Sequence, residues 1–442
     1  MNMRKTVSSL TLILCLLLIV SFIIHMPVKV QKTLFSEKIL DEPIYTDVIN
    51  SDYNTIFSSV CTQPYTMGKI WKNKTLASDY CEGRDYYPLP YIHYRFNHAP
   101  LAGFTWFVLT YITYVLTPRT SSLHVFRTDI GLSIFYVLYS VYVFVSMILA
   151  YLYLNRVFKI LNVNDILVYV SATILSTIVI YSIYSWEPLA FLLFTTFLYY
   201  YLSEKYSKAY LALGLYTSAN PLGFVLIFLI LYNTLIREEP KPGKDLIYLL
   251  IGLSPYIVLS IVSFQSVLGV FTWFINGFCN NCIYLFIVND PTSQVIKGLF
   301  VIIWVIVITV YLSFKPASKT HIHRYAYIVL YLALAILFNL EPVPQSMIMI
   351  LPFLPPLYTV YKQFKPIIPH YIVDSMNSLI IVLWFKDIEL RKSLSFLGLS
   401  IKYDPFTLES PIQWIAQIRN VVLLVILIAL INIYLRISRN NG

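Results

Sequence analysis

Residues 130–154 read IGLSIFYVLYSVYVFVSMILAYLYL, with no charged side chain anywhere in the run. As a helix rising about 1.5 Å per residue it extends roughly 37 Å, more than the ~30 Å hydrocarbon core of a bilayer. Working outward, further apolar runs occupy 7–25, 101–117, 165–185, 187–203, 209–236, 246–264, 296–314, 325–339, 346–361 and 415–435. The 442-residue chain is 58% hydrophobic and only 12% charged, against about 25% charge in soluble domains. Such a chain cannot have water alone as its solvent. It predicts an all-α polytopic membrane protein with about 10–12 transmembrane or re-entrant helices.

The first run follows Arg4 and Lys5 and no small-residue cleavage site follows it, so 1–25 reads as an uncleaved first transmembrane helix. Residues 26–100 form a large polar loop and 101–365 a multi-helix core. Residues 366–414 are a polar segment whose apolar stretch at 372–385 fits either topology, and 415–442 are a last helix with a basic tail. The net charge of +10 does not point to nucleic acid. Its basic residues stand in small groups beside apolar runs, as the positive-inside bias and anionic headgroups require.

Arg156/Lys159, Lys205/Lys208, Arg237/Lys241/Lys244, Lys315/Lys319/Arg324 and Lys362/Lys365 share a cytoplasmic face if 101–117 dips in without crossing and 209–236 forms a V. The V is expected because Ser218-Ala219-Asn220-Pro221 interrupts a run that would otherwise be about 42 Å long. This topology gathers the 26–100 loop, Glu187, the Asn220 break, the Cys279–Cys282 loop and the Glu341-to-Gln345 segment on one extracytoplasmic face of a multi-pass cell-membrane protein. The interiors of the runs are nearly free of Asp, Glu, Lys and Arg.

The 26–100 loop is longer than a simple connection, and its acids, Asp47 and Asp52 among them, are interleaved with tyrosines such as Tyr53, Tyr80 and Tyr94. Asp47 could serve as a general base at the water–lipid boundary, or be one more solvated carboxylate of a cap. Glu187 stands between Trp186 and Pro188 at the mouth of two runs, either as a functional acid or as one at headgroup depth. Arg95 and His98 could hold a phosphate or rim the headgroups. The break at Asn220 points to a site, because freed backbone groups at membrane depth need protein or cavity water to satisfy them. Cys61, Cys81, Cys279 and Cys282 fall in loops and suit disulfides. Cys279 and Cys282 could instead be half of a zinc site, but no second pair stands nearby. Asn73-Lys74-Thr75 is a glycosylation sequon.

An ordered series of short patterns then resembles a known superfamily. Tyr45-Thr46-Asp47-Val48 is similar to the acidic start of the first outer loop in the GT-C membrane glycosyltransferases. Phe96-Asn97-His98-Ala99-Pro100-Leu101-Ala102-Gly103 resembles their lead into the next helix, and Ser185-Trp186-Glu187-Pro188-Leu189-Ala190 an acid-bearing loop before a span. Leu211-Ala212-Leu213-Gly214 to Asn220-Pro221 and Glu341-Pro342-Val343-Pro344-Gln345 look like the family's two later segments. The likeness covers most of the chain and is greatest to polyprenol-phosphate-mannose-dependent mannosyltransferases. It departs at Ala219-Asn220, where the family often has lysine before the proline, and at Glu187, where aspartate is common.

The resemblance implies inverting transfer of a hexose such as mannose from a polyprenyl-phosphate donor to a glycan, lipid or protein acceptor. Asp47 would be the general base, with Asp52 and Glu187 as further acids. Arg95, His98, Asn220 and Gln345 would bind substrate, and Arg95, His98 or a divalent cation would offset the phosphate charge. Loop tyrosines and tryptophans would stack on sugar. Two other classes compete: a lipid or solute transporter or flippase, motivated by the broken helix, and a non-catalytic membrane scaffold whose loop binds a partner.

Overall fold

Lipid, not water, decides which way these side chains face. In the Gln294–Ser313 helix, Val301, Ile302, Val305 and Ile306 are all exposed, an i, i+1, i+4, i+5 stripe that would be an aggregation-prone patch in water and is at home against acyl chains. The His321–Leu337 helix is the opposite case. From Tyr325 to Leu337 every residue is buried, as an all-round apolar helix in the middle of a bundle must be.

The computed structural model describes residues 3–41, 43–63, 68–119, 123–236, 243–313, 320–360, 366–396 and 404–440. Arg237, Lys241, Lys315, Lys319, Lys362 and Lys365 lie outside these residues. Among the described residues every regular element is helical, apart from isolated bridges that join Tyr94 to Trp71 and Pro90. Five helices are long and apolar enough to cross a membrane: Asp129–Ile160, Ser254–Thr272, Gln294–Ser313, Ile367–Trp384 and Pro411–Arg436. A sixth results if Leu10–Ile24 and Val28–Phe35, bent by 108° across the break between them, count as one span. The protein is an all-α membrane protein.

Several of the apolar runs are short or broken, among them 101–117, expected to enter without crossing. Residues 101–117 form the 17-residue helix Pro100–Leu116. Residues 165–185 divide into Ile166–Thr173 and Ser176–Tyr181. Residues 246–264 divide into Ile247–Gly252 and Ser254–Asn276, the latter interrupted by extended backbone at Ser263. The 346–361 run is not a span. Pro344, Pro352, Pro355 and Pro356 remove amide donors, and the chain there makes the tight turns Pro344–Met349 and Leu351–Phe353 and the short helix Pro355–Val360. Conversely, 366–414 is not simply a polar segment, since Ile367–Phe396 is one helix packed along Pro411–Asn440.

The break at Asn220 is where the proline requires it. Tyr206–Ala219 ends on Asn220, whose N–H donates to Tyr216 O at 2.8 Å, and whose Oδ1 accepts from the Leu222 N–H at 3.0 Å. The chain then continues as Gly223–Ile236. The side-chain bond makes an Asx turn that replaces the lost helical pairing.

A second close fit sets the approach of Pro100–Leu116 to the loop. A methyl group on Gly103 would overlap the ring and hydroxyl of Tyr91, a residue held at φ 62° whose hydroxyl donates to the His98 carbonyl at 3.1 Å. Gly103→Ala is therefore expected to cost about 1–3 kcal/mol and to loosen the His98 backbone. The check is thermal unfolding of the solubilised protein, where an unchanged midpoint would mean that Tyr91 swings aside freely.

Candidate functional site

The described part of the loop after the first helix is packed and hydrogen-bonded. Its Asp47–Ser59 segment is a wide-turn π-helix, and Val48, Ile49, Tyr53, Ile56 and Phe57 bury one side of it. Thr46 caps the start, its hydroxyl accepting from the Ile49 N–H at 3.0 Å. The many tyrosines are mostly braces. Tyr53 donates to Phe126 O at 3.0 Å and Tyr80 to Phe57 O at 2.9 Å, so burial of these rings leaves no orphaned hydroxyl. Tyr53, Tyr80 and Tyr94 are fully buried, which removes them as sugar-stacking faces. Cys61 and Cys81 lie within disulfide distance with Cα atoms 5.4 Å apart, as do Cys279 and Cys282.

Asp47 is fastened to the membrane helices through its backbone. Its N–H donates to Tyr184 O at 2.9 Å, in the turn between Ser176–Tyr181 and Glu187–Leu202. That bond carries the Asp47 side chain to a cavity of about 270 Å³. Glu187 and Trp186 reach the same cavity from the start of one helix, and Asn220 from the broken one. His98 lines it from the lead into Pro100–Leu116, and Gln345 from the proline-rich segment. Five of the seven residues expected at the site thus converge from five separate stretches of chain.

Asp52 stands one layer behind. It accepts from the Trp186 indole at 3.2 Å, and its other oxygen lies 3.0 Å from His98 Nε2. Burial alone lowers the imidazole's affinity for a proton, but Asp52, with Asp47 and Glu187 nearby, outweighs it and holds the His98 pKa above its ordinary value. For Asp47, burial acts first, and the charges of Asp52 and Glu187 add to it. Its pKa is pushed up to about 7 against the opposing pull of His98 and a hydrogen bond with Tyr184. Ser185 donates its hydroxyl to the Glu187 carboxylate.

Arg95 is exposed and is not among the cavity's lining residues. Asn73 is exposed too, and its Oδ1 caps Lys74–Cys81 by accepting from Thr75 and Leu76. Among the described residues no group of three His, Cys, Asp or Glu side chains is disposed to hold a metal ion. The Cys279–Cys282 pair accordingly has no zinc-type complement there.

Sequence reasoning missed three groups. Glu341 lines the cavity, and burial pushes its pKa up to about 7. Arg419 is buried within the 415–435 run, expected to carry almost no charge in its interior, and Asp374 is buried in the segment expected to be polar. Asp374 accepts from the Ser176 N–H at 2.7 Å, the Ser176 hydroxyl at 2.8 Å and the Thr177 N–H at 2.9 Å, capping the short helix that leads to Tyr184. Arg419 donates to Asn377 Oδ1 at 2.9 Å, to Pro342 O at 3.1 Å and to Asn420 Oδ1. A signal existed for both, since an isolated charge inside an apolar run is a site candidate by default. No protein-family model matches this chain, and neither curated proteins nor solved structures match it.

Proposed function

We propose that this protein is a GT-C-like membrane glycosyltransferase that moves a hexose from a polyprenyl-phosphate donor to an acceptor hydroxyl at the outer face. The observation that carries this reading is the meeting of Asp47, His98, Glu187, Asn220 and Gln345 around one cavity. A lining of carboxyls, carboxamides and one indole suits a polyhydroxylated ligand, which needs planar hydrogen-bonding groups and a flat apolar face.

In this mechanism Asp47 takes the proton of the acceptor hydroxyl while that oxygen bonds to the anomeric carbon. The bond from that carbon to the phosphate oxygen breaks, its electron pair leaves with the polyprenyl phosphate, and the configuration inverts. His98, whose hold on its proton Asp52 strengthens, offsets in its charged form the charge that grows on the leaving oxygen. Because the Asp47 pKa is pushed up to about 7, kcat/KM is expected to rise as pH increases through about 7, where the base loses its proton. It should fall again at higher pH, where His98 gives up the proton that Asp52 helps it keep. A rate flat from pH 5 to 8 would contradict both assignments.

The reading as a whole is tested with the full chain in nanodiscs, a polyprenyl-phosphate-linked hexose and a panel of hydroxyl acceptors. A glycosylated product of inverted configuration is expected, and no transfer with any lipid-linked sugar overturns it. The buried charges Arg419 and Asp374 favour a transporter as the second reading. Solute flux in proteoliposomes with no covalent change in the lipid would support that alternative. Neither charge lines the cavity, and both are held by fixed neutral groups, which suits structure better than a relay.

A further inference from the structure

The Glu341-Pro342-Val343-Pro344-Gln345 segment alternates. Glu341, Val343 and Gln345 line the cavity, while Pro342 and Pro344 are buried behind it. Pro342 and Pro344 have no N–H to give, and the Val343 N–H between them donates to Glu341 O at 2.8 Å, so the proline carbonyls are the groups left to be held by other elements. They are held from the back, where Pro342 O accepts from Arg419 at 3.1 Å and Pro344 O from Asn377 Nδ2 at 2.9 Å. Asn377 in turn accepts from Arg419, and Asn420 ties the same guanidinium to Asn281 O in the Cys279–Cys282 loop. A planar fork of fixed donors sets the strip's register, and with it the position of Glu341.

The charge around this cavity is lopsided. Asp47, Glu187 and Glu341 line it and Asp52 stands behind, whereas His98 is the sole basic side chain among the described lining residues. Arg419 reaches the strip's backbone but forms no ion pair with Glu341 among the described residues. Asp52 is matched by His98, and Glu187 is served by Ser185. Asp47 has the Tyr184 hydrogen bond. Among the described residues the Glu341 carboxylate accepts no hydrogen bond of the kind that serves the others, and it faces the cavity half-buried, so a ligand that fills the cavity must supply its partner.

We infer that the acceptor of this site carries a primary amine and that Glu341 is the carboxylate that receives it. This rests on the glycosyltransferase reading only for the word acceptor, since the amine site itself is defined by binding. An ammonium close to Glu341 supplies the positive charge that the lining lacks and donates up to three hydrogen bonds, the remainder reaching Gln345 and Asn339 on the same wall. Its charge also lowers the Glu341 pKa from about 7, so the pair forms with the carboxyl ionised.

The test is calorimetric binding of free glucosamine, N-acetylglucosamine and glucose to the full chain in nanodiscs, for wild type and for the isosteric Glu341→Gln. Glucosamine should bind at least about tenfold more tightly than the other two, and Glu341→Gln should remove that margin. Equal binding of the three sugars overturns the inference, as does a preference for the amine that survives Glu341→Gln. Sugar transfer to neutral acceptors alone would likewise overturn it while leaving the glycosyltransferase reading intact. Amine-selective binding without transfer to any acceptor would sustain the amine site and remove that reading instead.

Discussion

Asp47→Ala is expected to lower kcat for sugar transfer by about 10²- to 10⁴-fold while the protein remains folded and donor binding is nearly unchanged. Folding should survive because the bond that hangs the π-helix on the membrane helices runs from the Asp47 backbone N–H to Tyr184 O. The side chain contributes no apolar burial, and its loss relieves repulsion with Asp52 and Glu187. Asp47→Asn is the sharper variant. It keeps the shape and the hydrogen bond to Tyr184 yet accepts no proton, so it should be as inactive as alanine. The rise in kcat/KM through about pH 7 should disappear in whatever activity remains. Rates measured in nanodiscs with a lipid-linked hexose decide this, and wild-type turnover by either variant would remove Asp47 from the role of base.

The second large effect concerns stability. Asp374→Ala strips the buried start of Ser176–Tyr181 of its cap, leaving the Ser176 and Thr177 N–H groups without their acceptor. A helix start buried without partners is unfavourable, and a carboxylate there also complements the helix dipole. The expected loss is about 3–5 kcal/mol, read by reversible unfolding in mild detergent. Asp374→Asn keeps one acceptor oxygen and should recover part of that loss. If Asp374→Ala unfolds with the wild-type midpoint, the cap is not a stabilising contact. Because this helix leads into Tyr184, to which Asp47 is bonded, the variant should also lower transfer through a misplaced base.

Much of this molecule was legible in one dimension because the bilayer imposes a one-dimensional rule. Every backbone group at membrane depth must be paired within its own segment, so apolar runs announce helices and a proline announces a break. That rule carried the 130–154 run and the interruption at Asn220. The basic clusters between the runs led to the expectation that Asp47, Glu187 and Gln345 share one face, and the three do line one cavity. Hydropathy alone suggested a run at 346–361, where Pro352, Pro355 and Pro356 overrule an apolar composition, and it left 372–385 open between two topologies, where a helix long enough to cross carries Asp374. The π-helix of the loop had a signal as well, in the spacing of Val48, Ile49, Tyr53, Ile56 and Phe57, hidden among acids that suggested a solvated cap.

By itself, then, the sequence determined the solvent, the helical class and the places where helices stop, because each follows from residues adjacent in the chain. Only the tertiary structure decided which charges are buried and whom they serve. Asp374 meets Ser176 across 198 positions and Arg419 meets Pro342 across 77. Electrostatic pairing depends on distance in space, and no local pattern encodes that.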